Sequence, residues 1–308
     1  MSTPDDVSRV SVQPATAPAW VRDAVVAGGG VLSEPGDARA VVWADARDPQ
    51  SLGRLLGENP GIEWVQVPFA GVENFVPIVD GTRTWTCGKG VYAEPVAEHA
   101  LGLALAGMRS IGGYSRRDKW SGPSGRNLLG ARVTILGGGG ITESLLRLLR
   151  PWGCHVTVVR RNVQEMQGAD DVVGTANLVD GLAGADLVVL ALSLTPETRG
   201  IIGRPELEVM EKHAWIVNVA RGGHIVTDDL VRALENGDIG GAALDVTDPE
   251  PLPEGHPLWS LPNCIITPHV GNTPEMAVPL LGERIRENVS RWVSGRPLIG
   301  LIDPHAGY

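Results

Sequence analysis

The chain has 308 residues, 43% hydrophobic and 20% charged, an ordinary globular composition with length for two domains and a sizeable core. Its formal net charge of −10 argues against a nucleic-acid or anionic membrane-surface partner, both of which want clustered Lys and Arg, and leaves only a local basic pocket for small anions. Three cysteines (Cys87, Cys154, Cys264) in no metal-site spacing, an N-terminal stretch without a basic start and apolar run, and no apolar run of about 18 residues predict a soluble, cytoplasmic protein with neither a structural metal nor a membrane span.

The first hundred residues carry the short apolar runs VSVQ, AVVWA (40–44) and IEWVQV (62–67), separated by helical stretches such as AWVRDAVVAGG, which predicts a small α/β unit. EPVAEHALGLALAGMRSI (94–111) is apolar at helical spacing and predicts a long packed helix that joins this unit to the next. From Ala131 the runs RVTIL, HVTVV (155–159), DLVVLAL (186–192), AWIVNVA (214–220), GAALDV (241–246) and CIITPHV (264–270) alternate with helical patterns. Near-continuous apolar strands alternating with helices predict a parallel, doubly wound sheet. LLGERIRENVSRWVSG (280–295) then reads as a helix that crosses back to the first unit. The expected division is 1–98 plus 276–308 against 99–275.

The stretch LGGGGITES (136–144) lies between the strand RVTIL and the helical TESLLRLLRPW. In a G-x-G-x-x-G turn the first glycine permits the bend, the second lets the backbone approach a pyrophosphate, and the third allows close helix packing. Gly137 and Gly139 fill the first two roles and Thr142 stands in the third. The helix N-terminus that binds phosphate survives this change, although an anion at Glu143 would oppose it. A cofactor turn and a plain Gly-rich strand-to-helix turn both fit these residues. About twenty residues further on, VTVVRRN places Arg160 and Arg161 where NAD binders carry an acid for the ribose 2′-hydroxyl. A guanidinium fork suits a 2′-phosphate, so the pair predicts NADP(H) over NAD(H), with solvated surface arginines as the plainer alternative.

The C-terminal third is more specific. VNVARGGHIVTDDLVRALENGDIGGAALDVTDPEPLPEGHPLWSLPNCIITPHVGN (217–272) resembles the D-isomer-specific 2-hydroxyacid dehydrogenases almost motif for motif. FAGVENF (69–75), VAEHALGLALAGMR (96–109) and LTPETRGIIG (194–203) agree, so the likeness spans most of the chain. Length and the tryptophan of AVVWAD look most like the glyoxylate/hydroxypyruvate reductases of that family. The resemblance implies two Rossmann-like domains, a doubly wound cofactor domain and a smaller flavodoxin-like substrate domain.

It also implies a site for reducing a 2-keto acid, which needs a hydride donor, a proton donor and a carboxylate anchor. His269 in TPHVG matches the catalytic histidine, and imidazole suits reversible proton transfer. Glu250 in DPEPL matches its acidic partner, and Arg221 in VARGG the arginine that grips substrate oxygens. Taken singly, these could be a loop histidine, a solvated acid and a capping cation; together, at family spacings, they form an active site. By the same transfer, Ala70 and Gly71 offer N–H groups to the substrate carboxylate, Gly140 and Ile141 touch the cofactor phosphates, Ser193 the adenosine side, Asp245 the nicotinamide amide and Gly271 the ring region. His99, on the apolar helix, reads as a packing or interface residue. Trp120 lies in a segment that in relatives reaches toward a partner subunit, so a homodimer is expected. The competing function is a nucleotide-sensing binding protein, because relatives include transcriptional corepressors that retain the dehydrogenase residues.

Overall fold

A computed structural model describes residues 8–303. The chain divides into two units, one built from residues up to Tyr92 and from Thr273 onward, the other from Ala93–Asn272. Both divisions fall a few residues before those expected at 98/99 and 275/276. The reason lies in two helices. The helix Ala93–Met108 sends Ala97, Ala100, Leu103 and Ala104 into the core of the second unit from its first turns. The helix Pro274–Val293 sends Leu281, Ile285 and Val289 into the core of the first.

The first unit holds five strands, β1 (Arg9–Gln13), β2 (Val31–Leu32), β3 (Ala40–Trp43), β4 (Trp64–Gln66) and β5 (Thr84–Thr86), all parallel in the order β2-β1-β3-β4-β5. That is a flavodoxin-like order with its switch point between β1 and β3. The returning helix is locked to this sheet by a buried polar chain. Asn288 donates from Nδ2 to Gln66 Oε1 (2.8 Å), and the Thr86 hydroxyl donates to the same oxygen (2.9 Å). A buried amide with these partners is satisfied, so it fixes the docking of the helix without an unpaired polar group.

The second unit holds seven parallel strands, β6 (Arg132–Leu136), β7 (His155–Val159), β8 (Asp171–Val173), β9 (Leu187–Leu190), β10 (Trp215–Asn218), β11 (Gly241–Leu244) and β12 (Cys264–Ile266). Their order is β12-β11-β10-β9-β6-β7-β8. Successive residues point to opposite faces, and both faces are apolar: Leu187 and Val189 join one core while Val188 and Leu190 join the other. The strand order reverses between β6 and β9, which places the ligand crevice of a doubly wound sheet at their carboxyl ends. No helix among the described residues is long and apolar enough to cross a membrane, and among them no cluster of His, Cys, Asp and Glu could hold a metal ion.

Candidate active site

The Gly-rich turn leaves the carboxyl end of β6 at the switch point. Gly137 has φ +110 and its α-carbon faces β9 so closely that a Cβ would lie 2.2 Å from the Ala191 carbonyl oxygen, so only glycine fits. The helix Gly140–Leu149 follows, with Gly139 as its extended N-cap. Its opening N–H groups, on Gly140, Ile141 and Thr142, have no partner within the helix. A Cβ at Gly139 would meet nothing within 4 Å, so there is open space beside those donors. Thr142 is fully buried, and its hydroxyl donates to the Gly137 carbonyl at 2.9 Å. The missing third glycine is thus answered by a hydrogen bond that ties the helix back to the turn. Glu143 is exposed. Open space, free donors and an intact turn fit a dinucleotide pyrophosphate.

Arg160, at the end of β7, lays its guanidinium against this turn: a Cβ on Gly138 would lie 2.7 Å from its Nε. Arg161 is exposed and near the loop that follows β9. There Glu197 is held below its ordinary carboxyl range by the Thr195 hydroxyl first, with the Arg161 cation adding. Ser193, exposed in the same loop, accepts the Thr198 hydroxyl on its carbonyl at 2.8 Å. The two arginines and the 193–199 loop therefore meet beside the turn.

Arg221, Glu250 and His269 follow β10, β11 and β12, three adjacent strands of the same sheet, all at carboxyl ends. His269 Nδ1 lies 2.6 Å from Glu250 Oε1, which leaves Nε2 as the ring nitrogen outside that contact. Both side chains remain solvent-accessible, at 51% and 41%. His269 has φ +54, a left-handed conformation that costs about 1 kcal/mol for a residue with a Cβ. Asp245 supplies the scaffold that holds it there. Its carbonyl accepts the His269 N–H (2.8 Å), Oδ1 accepts the Val270 N–H (2.9 Å) and the Thr267 hydroxyl (2.6 Å), and Oδ2 accepts the Gly271 N–H (2.9 Å). Burial alone would raise the Asp245 carboxyl, but hydrogen bonds from His99, Thr267, Val270 and Gly271 outweigh it and hold it down to about 2.

His99 emerges as part of this scaffold. Its Nε2 lies 3.0 Å from the Thr267 hydroxyl and 3.2 Å from Asp245 Oδ1, so the helix Ala93–Met108 braces the turn that presents His269. Sequence reasoning saw only a histidine on an apolar helix, because its partners lie far along the chain. Asp245, expected at the nicotinamide amide, is 3% exposed, and its Oδ2 faces the Gly271 N–H.

Arg221 opens the turn Gly222–His224 in extended conformation. Its Nη1 donates to the Ala220 carbonyl (2.7 Å), and its own carbonyl accepts Asn218 Nδ2 (2.9 Å). In the first unit, Ala70 and Gly71 follow β4. Their loop is held at its base by Tyr92, whose hydroxyl donates to the Pro68 carbonyl (3.1 Å), and by the Gly88 N–H on the Phe69 carbonyl (3.0 Å). Neither Ala70 nor Gly71 donates a main-chain hydrogen bond among the described residues. Trp120 is fully exposed.

Residues 101–271 match the model of the NAD-binding domain of D-isomer specific 2-hydroxyacid dehydrogenases. The chain is 40% identical over 82% of its length to an uncharacterized protein in the proB 3′ region of Corynebacterium melassecola, covering 85% of that protein. It is 31% identical to glyoxylate/hydroxypyruvate reductase A of Serratia proteamaculans, over 89% of this chain and 90% of the relative. Among solved structures, a D-isomer specific 2-hydroxyacid dehydrogenase from Xanthobacter autotrophicus, in complex with NADPH and MES, superposes with a TM-score of 0.85. It shares 27% identity, and the match covers 97% of this chain and 99% of that one.

Proposed function

Because the chain belongs to the D-isomer-specific 2-hydroxyacid dehydrogenase family, whose members are NAD(P)-dependent dehydrogenases, we propose that it reduces a small 2-keto acid of the glyoxylate or hydroxypyruvate kind with NADP(H), NAD(H) being the lesser cofactor. The observation that carries this reading is the 2.6 Å contact between His269 and Glu250, on the sheet whose switch point holds the Gly137 turn. The reductase name of the Serratia relative and the NADPH of the Xanthobacter structure support it.

NADPH, when bound, supplies hydride to the keto carbon. The chain's own residues do the rest. His269 gives a proton from Nε2 to the keto oxygen, while Glu250 orients the ring through Nδ1. Arg221 holds the substrate carboxylate with its planar fork, and Ala70 and Gly71, in the first unit, offer their N–H groups as substrate-binding donors. Gly140 and Ile141 present N–H groups to the pyrophosphate, Arg160 and Arg161 take the 2′-phosphate, and Ser193 and Gly271 border the adenosine and ring ends. In oxidation, His269 takes the proton back. A homodimer working in the cytoplasm completes the reading.

The test is NADPH oxidation with glyoxylate and hydroxypyruvate, run beside NADPH binding without substrate. Turnover is expected with at least one. Tight NADPH binding with no turnover across a panel of 2-keto acids would return the nucleotide-sensing alternative.

A further inference from the structure

We propose that His224 is a positioning residue, which fixes the main chain of Arg221 and so the approach of its guanidinium to the substrate carboxylate; this rests on the reading of Arg221 as the carboxylate anchor. His224 is fully buried three residues after Arg221. Its Nδ1 lies 2.9 Å from the Arg221 carbonyl oxygen. The Arg221 N–H also points at this nitrogen, at a longer 3.3 Å; we assign the proton to Nδ1, which then donates across the shorter contact, to an oxygen that carries no hydrogen. The same carbonyl accepts Asn218 Nδ2 (2.9 Å), and Asn218 Oδ1 accepts the Ala220 N–H (3.0 Å). The peptide after Arg221 is therefore held from the end of β10 on one side and from His224 on the other.

The turn around it has no slack. A Cβ on Gly222 would lie 2.0 Å from the Thr247 carbonyl group, and one on Gly223 would lie 2.9 Å from Arg199 Nη1. The Gly223 and His224 carbonyls are taken by the N–H groups of Gly200 (2.8 Å) and Ile202 (3.0 Å). Filling this space does not require an imidazole, and an imidazole is a poor filler. Its Nε2 is buried and makes no hydrogen bond among the described residues, a burden an aliphatic side chain would not carry. Burial, with the Arg221 and Arg199 cations, pushes the ring below its ordinary pKa against the opposing main chain of Ser193 and Arg221. The neutral ring is thereby favoured.

The experiment compares wild type, His224→Leu, His224→Asn and Arg221→Gln in glyoxylate KM, kcat, NADPH Kd and inhibition by oxalate, a small dianion. Loss of one buried donor should raise the glyoxylate KM and the oxalate inhibition constant about tenfold in His224→Leu, with kcat and NADPH Kd within about twofold. His224→Asn, whose Nδ2 can stand at the Nδ1 position, should recover most of the loss, and His224→Leu should add little to Arg221→Gln. An unchanged KM in His224→Leu, or no recovery in His224→Asn, overturns the proposal while leaving the function intact. An Arg221→Gln protein with unchanged KM overturns the anchor reading itself. Nitrogen NMR of wild type keeps the question open to test even if a variant fails to fold: the Nδ1–H tautomer is expected, and an Nε2–H tautomer contradicts the donor assignment.

Discussion

A histidine with a left-handed backbone needs something to keep it there, and for His269 that is chiefly one carboxylate. Asp245 binds the turn on both sides of the ring that would move the proton, so its chemistry reaches the imidazole through the main chain without touching the ring. The depressed carboxyl has a stability consequence. The unfolded group titrates near about 3.9, the folded one at about 2, so the contribution is complete above about pH 4 and is lost as pH falls toward 2; its size is about 2 kcal/mol. Asp245→Asn should lower the urea unfolding free energy by about that amount at neutral pH, and its gap from wild type should narrow as pH falls from about 4 toward 2. A gap that does not change with pH would contradict this account. At this scale, short motifs whose residue types the proposed reaction would dictate pointed to His269 and Glu250, and the two side chains do meet. His99 and His224 were not. His99 meets Thr267 across 168 positions, and His224 earns notice only from an unpaired buried nitrogen, neither of which leaves a local pattern.

The strand-turn-helix element shows how a departure from a fingerprint can be repaired locally. Thr142 lacks the compactness of glycine, yet it turns its hydroxyl onto the Gly137 carbonyl inside the helix–sheet interface. Thr142→Gly would restore the fingerprint but remove that bond and add a flexible residue to the helix, costing about 2 kcal/mol of stability. It should leave the NADPH to NADH preference unchanged; thermal unfolding and titration of both cofactors check the two halves. On the reading proposed above, the preference belongs to the end of β7. Replacing Arg160 and Arg161 with Ala should weaken NADPH by about 1.5 to 3 kcal/mol per lost contact and NADH little. A double variant that still favours NADPH would overturn that assignment. The strands buried on both faces announced themselves as apolar runs. β2, β5 and β8 did not, because each is two or three residues long and lies at the edge of its sheet, where no continuous apolar run is required. The helix predicted over 280–295 begins earlier, at Pro274, with Pro in its first turn and a second Pro at 279 inside; proline is welcome at the start and conceals the interior in a sequence pattern.

Across the whole molecule, composition and the alternation of strands and helices were enough to announce two α/β units, the larger with a parallel sheet, while the exact point where the chain passes between them depends on which core each helix enters. That is decided by packing, and residues 93–98 join the second core although they read equally well as the end of the first. The homodimer is argued from the segment carrying Trp120, whose side chain is fully exposed. Sedimentation should give twice the 32.6 kDa chain mass, and Trp120→Ala should shift the equilibrium toward the single chain; a wild-type protein that sediments as one chain would remove the dimer from the account. The central claim is that this fold carries out proton-coupled reduction through His269, and the most direct measurement is NADPH oxidation by His269→Asn with glyoxylate or hydroxypyruvate, alongside NADPH binding. The account predicts binding close to wild type and a rate lower by about two orders of magnitude or more. Near-wild-type turnover in the variant would contradict it.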